Sequence, residues 1–506
     1  MVSAYLVDAL RDPTVELQDL FTSASSSATE FPQLVANHFS RVFRTETAYK
    51  QIPALNLQNP PEAYAPRSLV RFRGMVQDTS PSTEMYLFKS PDGKVGGWGI
   101  EREIDADSHP ELNYENLRES TVLWATSVPG ESSWYSDHLE GPNTESPSAH
   151  DHVPSRPHKF HNPQLKHVGV QVKLYGDNGT HLKSTDIATF VGILAFDHLS
   201  IDHDDPPMVP TLHVLYVRDE TEPPSLHPLE HGTRQSLREI TETRSNLLQW
   251  LSHEALGGDK EAAEWALLSI IASVQARTPP LLPPSITISQ FPLPSSNESG
   301  TSPTLSHILS LILPRLITLP LSLNFLNNSS FAPESKDEDL HAGMLQLPKG
   351  TALLVTENGL RVSNLQVLQE ILSSQTLAYD FPFSRFSFPT DLNCLILAEG
   401  KKSAFFRTDF VVPLRPQNGN DNESLWRSGE SIEKPNDEVL ATFRHMIHAA
   451  RSGKIQVNDA TSEYIQEDFV RERQRNKSVT SDDLIRWMTI AKRVACLVLP
   501  TGGSRD

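Results

Sequence analysis

The chain has 506 residues, too many for a single hydrophobic core, and this length predicts two to four domains. Its 38 Pro residues and its hydrophobic fraction of 38% indicate ordered domains joined by loose Pro- and Ser-rich connectors. The formal net charge of −19 argues against a protein that grips duplex DNA by itself, because neutralising phosphates requires Lys and Arg concentrated on one face. An acidic surface suits a basic protein partner better.

Two cysteines are present, Cys394 and Cys496, and each lies in an apolar run. This placement predicts buried thiols in a reducing compartment rather than a disulfide or a Cys-based zinc site. The most membrane-like stretch, residues 305–326, is interrupted by charged residues and prolines, so no membrane span is predicted. Charged residues also interrupt the start of the chain, so a signal peptide is not expected and the protein is predicted to be soluble and intracellular.

In chain order, residues 1–60 predict an N-terminal segment of short amphipathic helices with a Ser-rich break at 23–27. Residues 61–220 contain short runs that alternate apolar and polar residues between turn signals, which is typical of a small β-barrel of the OB type. The predicted strands are SLVRFRGMVQD, MYLFKS, TVLWATSV, VGVQVKLYG, ATFVGILAFDHL and TLHVLYVRD.

A segment at 135–166 interrupts this β region and is rich in Ser, Pro and His, which predicts a disordered insertion. It contains His150, His152, His158 and His161. Histidine is a common metal ligand, but no Cys accompanies these four, so a solvated loop is favoured and no metal site is predicted.

Beyond the β region, residues 221–251 predict a linker and a helix, and strands then alternate with helices from 252 to 416. This alternation predicts an α/β layer. A polar linker is predicted at 417–436 and a helical, lid-like unit at 437–500.

Seven segments together resemble the minichromosome maintenance complex-binding protein family, in the family's order and from about residue 65 to the C-terminus: VRFRGMVQD, SVPGESSW, VKLY, FVGIL, HEALGG, GMLQLP and YDFPFSRFSFP. The most specific of them is SVPGESSW. It contains the residues that we predict as family-motif and partner-binding candidates: Val128, Pro129, Gly130, Glu131 and Trp134.

The resemblance implies a nuclear protein, with the cytoplasm as an alternative location, that associates with the helicase subunits of the minichromosome maintenance complex. It further implies a role in their assembly, stability or removal from chromatin, and a link to sister-chromatid cohesion. The sequence leaves open which subunits are bound, with what stoichiometry and by which residues. It also leaves open whether the role is that of a chaperone or an unloader, what carries the protein into the nucleus, and which sites are phosphorylated.

The region from residue 252 is also similar in element order to the ATPase domain of those helicase subunits, which allows its catalytic positions to be tested. A phosphate loop needs G-x-x-x-x-G-K-[ST], because backbone N–H groups, a Lys and a hydroxyl hold the phosphates and Mg²⁺. The corresponding segment, FPLPSSNESGTSPTLS, has one Gly, no Lys and three prolines that lack an N–H: Pro292, Pro294 and Pro303.

The metal-holding strand reads ALLVTEN, with Thr356 where such ATPases carry an Asp, and the remaining Glu357 is predicted to be an exposed acid at the end of the strand. In the last unit, Asp482 and Asp483 lie near the position expected for a phosphate-sensing Arg. We therefore predict no catalytic residue and no cofactor.

The complete fold prediction is a multidomain α+β chain: an OB-like barrel with a disordered insertion, then a degenerate AAA+-like α/β domain and a C-terminal helical lid. Such a chain would bind helicase subunits by imitating a neighbouring subunit.

Three other functions were weighed against this one. A working ATPase is disfavoured because the phosphate-loop segment has no Lys and the metal-holding strand has no Asp. A hydrolase is disfavoured because the sequence has no G-x-S-x-G elbow. A single-stranded nucleic-acid binder is the main alternative, because OB folds often serve that purpose. Its candidate residues are Arg67, Arg71, Phe72, Arg73 and Tyr86.

Overall fold

The protein is mixed α/β with several sheets, as the sequence predicts. No helix among the described residues combines the length and the apolar character needed to cross a bilayer. The computed structural model describes residues 4–23, 29–90, 93–100, 114–140, 152–199, 207–219, 237–278, 280–294, 302–322, 329–357, 365–417, 422–453, 457 and 459–498.

Helices open the chain, in agreement with the predicted N-terminal segment. The second helix starts at Pro13, and the carboxylate of Asp12 accepts a hydrogen bond from the backbone N–H of Thr14 at 3.1 Å. The ring of Phe31 meets the indole of Trp98 edge to face at 5.7 Å, so the helices share a core with the following strands. The helices are α1 (Ala4–Arg11), α2 (Pro13–Ser23), α3 (Phe31–Val42) and α4 (Glu46–Tyr49).

The six predicted strands of the β region are confirmed, and together with one short unpredicted strand at residues 54–55 they form a seven-stranded sheet. We call this part, residues 54–219 with the helix α5 (Ser133–Glu140), the β domain. Its strands are β1 (Ala54–Leu55), β2 (Leu69–Asp78), β3 (Glu84–Leu87), β4 (Leu117–Thr126), β5 (Gly169–Tyr175), β6 (Ile187–His198) and β7 (Met208–Asp219).

Five strands of this sheet close into a ring through hydrogen-bonded pairs. Going round the ring, β2 pairs with β4, β4 with β5, β5 with β7, β7 with β6 and β6 with β2. The β5–β7 pair is parallel and the other four are antiparallel. Apolar side chains that point into the ring form one continuous cluster.

The prediction of a disordered insertion at 135–166 is wrong at both ends, and residues 135–140 belong to α5. Residues 141–151 lie outside the described residues, but residues 152–166 are packed against the rest of the chain. Lys159 is only 2% exposed and Phe160 only 5%. The composition of the segment is that of a loop, but opposite charges elsewhere in the chain compensate the buried Lys.

A second sheet of five parallel strands forms the centre of what we call the α/β domain, residues 237–498. Its inner strands β14 (Ala352–Glu357) and β17 (Asn393–Ala398) are buried along their whole length and mostly apolar, as expected for parallel strands covered on both faces. Cys394 lies in this core, and burial raises the pKa of its thiol to about 12. In sheet order the strands are β11 (Leu316–Leu321), β14 (Ala352–Glu357), β17 (Asn393–Ala398), β10 (Ile286–Ser289) and β18 (Phe410–Pro413).

Helices cover this parallel sheet, and a small four-stranded sheet lies beside it. The helices are α6 (Leu237–Ala255), α7 (Lys260–Ile271), α8 (Thr304–Ile312) and α9 (Gln366–Ser374). The small sheet has the order β13 (Asp339–His341), β12 (Glu334–Lys336), β15 (Thr376–Phe381) and β16 (Ser384–Pro389), and the pair β8 (Ala276–Arg277) and β9 (Pro280–Leu281) stands apart.

The segment predicted as a polar linker, 417–436, contributes buried side chains to the core although much of its described part is exposed. Leu425 is 1% exposed, and Arg427 pairs with the carboxylate of Glu254 at 2.8 Å. The C-terminal helices are α10 (Asp437–Ser452), α11 (Asp459–Arg475) and α12 (Ser481–Val498). α10 and α12 share a core with α6, α7 and α8, whereas α11 has no buried residue.

Candidate functional site at the junction of the two domains

The SVPGESSW motif, residues 127–134, comprises the loop after β4 and the first two residues of α5, and we call it the junction loop. It runs alongside the start of β11 in the α/β domain. The backbone N–H of Leu316 donates to the carbonyl oxygen of Gly130 at 2.8 Å, and Glu131 and Arg315 form an antiparallel bridge. The loop therefore adds a short piece of strand to an edge of the other domain.

Ser132 in the junction loop hydrogen-bonds twice to the chain that follows α8. Its backbone N–H donates to the carbonyl of Pro314 at 2.9 Å, and its buried hydroxyl donates to the carbonyl of Leu313 at 2.6 Å. Carbonyl groups at the end of a helix have no partner within the helix. Ser132 therefore satisfies the end of α8 from the other domain.

Trp134 makes the third attachment of the loop. Its indole N–H donates to the carbonyl of Ser310 at 2.9 Å, and the guanidinium of Arg444 lies 3.9 Å from the ring centre. Arg444 is fixed in turn by donation from its Nε to the carbonyl of Leu311 at 2.8 Å. Burial lowers the pKa of Arg444, and the charge of Asp437 opposes this effect. A cation over an indole face is the strongest of the cation–π pairs.

On the β-domain side, Arg73 anchors the loop. Its Nη1 donates to Glu131 at 2.6 Å, and its guanidinium lies 5.6 Å from the ring centre of Tyr135. Arg73 is only 8% exposed. The ion pair is therefore shielded from water, and one partner belongs to β2 while the other belongs to the loop.

The structure brings all of the predicted motif residues together in this contact within the chain. Val128 and Pro129 are buried, and Gly130, Glu131 and Trp134 are half-buried. Contact of these residues with a partner protein stays a prediction.

A second set of contacts between the domains consists of neutral side chains. Gln77 donates to the side-chain oxygen of Gln346 at 3.2 Å, and Gln346 donates back to the backbone carbonyl of Gln77 at 2.7 Å. The hydroxyl of Tyr379 accepts from Gln346 at 3.1 Å and lies 2.8 Å from that of Ser184. Burial raises the pKa of Tyr379 to about 12, so its phenol stays protonated.

The third set of contacts is ionic and centres on Asp339. Its carboxylate accepts from Arg156, Lys159 and His158, and Lys159 also pairs with Asp78 of β2 at 2.5 Å. Burial acts to raise the pKa of Asp339. Donation from His158 and the positive charges of Lys159 and Arg156 outweigh burial, and they hold the pKa below its ordinary value.

His158, Asp339 and His341 offer ligand atoms that all lie within 4.8 Å of one another. This spacing would suit a metal, but the amine of Lys159 and the guanidinium of Arg156 already occupy the Asp339 carboxylate, and both repel a cation. The chemistry fits an ion-pair network better than a metal site. The predicted solvated loop contained His150, His152, His158 and His161, of which His150 lies outside the described residues. For the other three the prediction is wrong, because His152 and His158 have hydrogen-bond partners and His161 is only 4% exposed.

The position predicted for a phosphate loop lies at the carboxyl end of β10. Residues 295–301 of this segment lie outside the described residues. On their two sides, Pro292, Pro294 and Pro303 have no N–H to offer, and the carbonyl of Pro292 accepts the indole N–H of Trp426 at 2.9 Å. The three prolines therefore remove backbone N–H donors that a phosphate cradle would use on both sides of this segment.

Glu357, at the end of β14, is 5% exposed, so the prediction of an exposed strand-end acid is wrong. Its carboxylate accepts from the hydroxyl of Ser403, and it accepts from the backbone N–H of Ala404 at 2.9 Å. Burial raises the pKa of Glu357 despite these bonds. The carboxylate thus fixes the loop after β17, and both of its oxygens are engaged.

In α12, Asp483 caps the helix that was predicted to be lid-like. Its carboxylate accepts from the backbone N–H and the hydroxyl of Thr480, both at 2.9 Å, and pairs with Arg486 at 3.3 Å. The bonds from Thr480 lower the pKa of Asp483. The predicted acidic position therefore has a structural role at a helix start, where negative charge is favourable.

A family model described as "Mini-chromosome maintenance replisome factor" matches residues 39–164 and 143–499, which span both domains and the junction loop. The chain belongs to this family. Proteins named mini-chromosome maintenance complex-binding protein are similar over nearly the whole chain. That of Arabidopsis thaliana is 25% identical over 575 residues, which cover 96% of this chain and 94% of the relative.

Animal relatives of the same name give the same result. The protein of Gallus gallus is 26% identical over 618 residues, covering 99% of this chain and 95% of its own. The protein of Homo sapiens is 25% identical over 595 residues, covering 94% of this chain and 91% of its own. The similarity therefore spans the junction and both domains.

In this member of the replisome factor family, the residues proposed for nucleic-acid binding do not form an exposed surface. Arg71, Phe72, Arg73 and Tyr86 are all buried, and only Arg67 is exposed. The Nε of Arg71 donates to the carbonyl of Ile52 at 2.9 Å. The arginines of β2 are buried because Tyr49 of α4 and Glu131 of the junction loop cover that side.

Several residues that build the junction are not among the residues predicted from sequence: Gln77, Ser132, Lys159, Gln346 and Arg444. Gln77, Ser132 and Gln346 do lie inside the family-like segments VRFRGMVQD, SVPGESSW and GMLQLP, so these segments contain junction residues that the sequence does not single out. Nothing in the local sequence distinguishes Arg444 or Lys159 from an exposed cation.

Proposed function

We propose that this protein is a non-catalytic binding partner of mini-chromosome maintenance helicase subunits and that it acts in DNA replication. The observation that carries the proposal is the family match across both domains, together with relatives from plants and animals that are named for binding this complex. The junction supports a binding role as well, because it holds two domains as one continuous surface.

The proposal extends to the class of each domain. Counted along the chain, the strands of the closed ring have the order 1-2-3-5-4-1 with strands 3 and 5 parallel, which is the order of an OB barrel. Counted in the same way, the parallel sheet has the order 5-1-4-3-2, which is the order of AAA+ ATPases. We infer an OB-type domain followed by a degenerate AAA+-type domain.

The absence of catalysis is inferred from the groups at the carboxyl edge of the parallel sheet. The sequence of the phosphate-loop segment has no Lys. Thr356 stands where a metal-bound Asp would be needed, and Glu357 is engaged by Ser403 and Ala404. A nucleotide would therefore meet neither the charge nor the metal ligand that phosphoryl transfer needs.

The mode of action that we propose is imitation of a neighbouring subunit. Helicase subunits associate side by side through their ATPase domains, and a chain with the same domain types could occupy a place beside them. We further propose a nuclear location, with the cytoplasm as an alternative, and a role in subunit assembly, stability or removal from chromatin with a link to sister-chromatid cohesion.

The test is reconstitution of the full chain with each purified helicase subunit, followed by size-exclusion chromatography and crosslinking mass spectrometry. We expect co-elution with at least one subunit and crosslinks in both domains. Failure to co-elute with any subunit, alone or in mixtures, would refute the proposed function. Co-elution with crosslinks that avoid both domains would refute only the imitation of a subunit.

Two binding assays on the same preparation test the other classes. Titration with a fluorescent ATP analogue and Mg²⁺ is expected to give no saturable binding, and micromolar Mg²⁺-dependent binding would contradict the inferred loss of catalysis. A gel shift with single-stranded DNA at increasing salt is expected to show no complex. A salt-dependent shift would favour the nucleic-acid alternative.

A further inference from the structure

The helix α11 (Asp459–Arg475) has 17 residues, and none of them is buried, although the structure describes every one. A helix of this length is only marginally stable in water without a packed face, because the first turn is costly to form. A helix that is polar on all sides is held by ion pairs along its own surface or by a partner outside its own domain. The arrangement of its charges distinguishes these two cases.

A single row of charged side chains runs along α11 at intervals of four residues, and we call it the charge row. Its members are Glu463, Glu467, Arg471 and Arg475, and all four are exposed. Residues four apart lie on one face of a helix, so the charge row forms a ridge about 18 Å long. The ridge begins with two negative charges and ends with two positive charges.

This order of charges is not the one that stabilises the helix itself. Opposite charges four residues apart attract and like charges repel, so alternating signs would serve an isolated helix best. In the charge row only the pair Glu467 and Arg471 attracts, while the two acids repel each other and so do the two arginines. Arg471 pairs within the helix with Asp468 at 3.4 Å, and Arg475 pairs with Glu472 at 2.9 Å. Both pairs are exposed to water and therefore weak enough to exchange partners.

The charge row is complementary to a second copy of itself that runs in the opposite direction. A two-fold axis level with the midpoint between Glu467 and Arg471 places Glu463 opposite the position of Arg475 in the other copy. The same axis places Glu467 opposite the position of Arg471. Because the symmetry repeats each contact, every charge in both rows faces an opposite charge. Parallel helices would instead place like charges opposite each other.

Exposed apolar side chains border the charge row on both sides. Tyr464 is 63% exposed and Val470 is 53% exposed. Each lies three residues from Glu467, one before it and one after it, so the two side chains flank the ridge. In the antiparallel pair, Val470 lies within one residue of the level of the axis. Contact with a second helix would therefore remove apolar surface from water as well as pair the charges.

We propose that α11 is the surface through which two copies of this chain associate, with the helices antiparallel and the charge rows facing each other. A second copy supplies the required order of charges by itself, whereas any other partner would have to carry that order independently. The net charge of −19 opposes association of two copies. Charges further apart than about 8 Å are largely screened at physiological ionic strength, so the facing pairs decide the outcome. The proposal does not depend on binding to helicase subunits.

The experiment is sedimentation equilibrium of the full chain at physiological ionic strength over a wide range of concentrations. We expect a reversible equilibrium between monomer and dimer. The variant Arg471→Glu with Arg475→Glu makes the charge row entirely negative, so that each copy repels the other. We expect the dissociation constant of the dimer to rise about a hundredfold, since all of the facing pairs become repulsive.

A mixture of two variants tests the facing of the rows directly. The variant Glu463→Arg with Glu467→Arg makes the charge row entirely positive, and it should also be monomeric alone. An equal mixture of the negative-row and positive-row chains is expected to form a heterodimer with about the affinity of the unchanged chain. Misfolding of either variant would not produce this recovery. Monomers in the mixture, with both variants folded by circular dichroism, would overturn the proposal.

Arg473→Glu is the matched control for the single change Arg471→Glu. Arg473 is exposed on the same helix, but it lies two residues from each arginine of the charge row, and residues two apart do not share a face. We expect Arg471→Glu to weaken the dimer about tenfold and Arg473→Glu to leave it unchanged. Equal effects of the two changes would overturn the proposal.

A monomeric unchanged chain at every concentration would overturn the proposal as well. Co-elution of the Arg471→Glu variant with purified helicase subunits then identifies the other occupant. If the unchanged chain were monomeric and this variant alone failed to co-elute, α11 would be a contact surface for a helicase subunit rather than for a second copy.

Discussion

Gly130 has a backbone φ of +67°, a conformation that side-chain-bearing residues rarely adopt. A Cβ atom at this position would meet the carbonyl oxygen of Leu316 at 2.7 Å and the side chain of Ile317 at 2.8 Å. We expect Gly130→Ala to lower the free energy of unfolding by about 1–2 kcal/mol through backbone strain. Crowding at the junction should add about 1–3 kcal/mol. Urea unfolding followed by Trp fluorescence measures the sum.

The matched control for this change is Gly93→Ala. Gly93 has a φ of +80°, but a Cβ atom there meets nothing within 4 Å. It should therefore show the strain without the crowding, and lose about 1–2 kcal/mol. If both variants lost the same stability, Gly130 would not be held against the α/β domain in solution.

The burial of Arg71 and Arg73 could not be predicted from the sequence of β2. Alternation of apolar and charged residues correctly predicts the strand β2, since the period of side-chain direction is two. It does not show whether the second face meets water. In this chain Tyr49 covers Arg71 and Tyr135 covers Arg73, and neither ring is adjacent to β2 in sequence.

Asp259, at the start of α7, links a helix to the strand that ends beside it. One carboxylate oxygen accepts the backbone N–H of Ala262 at 3.1 Å, and the other accepts that of Arg415, just after β18, at 2.7 Å. Asp259→Ala should cost about 1 kcal/mol for the lost cap. It should cost about 1–3 kcal/mol more for the N–H that is left without a partner.

Asn436→Ala provides the comparison for Asp259→Ala. Asn436 accepts the backbone N–H of Val439 at 2.9 Å at the start of α10, in an exposed position. This change removes a cap alone, so urea unfolding should show a loss of about 1 kcal/mol. A loss as large as that of Asp259→Ala would mean that the contact with Arg415 contributes nothing.

The elements of both sheets differ in how well the sequence predicts them. Strands such as β14 and β17 contain continuous apolar runs bounded by polar residues, and this local pattern is sufficient to predict them as buried strands. The local pattern does not reveal the strand β11, because β11 follows α8 closely in one long apolar stretch that also contains Pro314 and Pro320. Pro320 is compatible with a strand because β11 lies at the edge of its sheet.

At the scale of the whole molecule, the junction could not be predicted because its partners are far apart along the chain. Gln77 meets Gln346, and Trp134 meets Arg444, across separations of hundreds of residues. Local periodicity carries no information about such pairs, and composition misled at residues 152–166. The resemblance to the family did include the junction loop, through the segment SVPGESSW.

The charged part of the junction makes the stability of the whole molecule depend on pH. The folded pKa of Asp339 lies below its ordinary value of 3.8, so its ion pairs stabilise the fold fully above that pH. As the pH falls from 3.8 towards the lower folded value, protonation removes this stabilisation. Because Asp339 belongs to the α/β domain and Lys159 to the β domain, the loss falls on the contact between them.

Asp339→Asn should therefore reproduce at pH 7 what acid does to the unchanged chain. Removal of one partner leaves Lys159, which is 2% exposed, with Asp78 alone, and such a loss costs about 3–5 kcal/mol. Differential scanning calorimetry is expected to show an earlier transition that splits into two as the domains separate. The control is Asp380→Asn, whose ion pair with Arg385 is about half exposed and should contribute less than about 1 kcal/mol. The prediction fails if the Asp339→Asn variant keeps both the melting profile of the unchanged chain and the acid sensitivity of the unchanged chain below pH 4. In that case the junction loop and the Gln77–Gln346 pair would hold the domains together without this charge network.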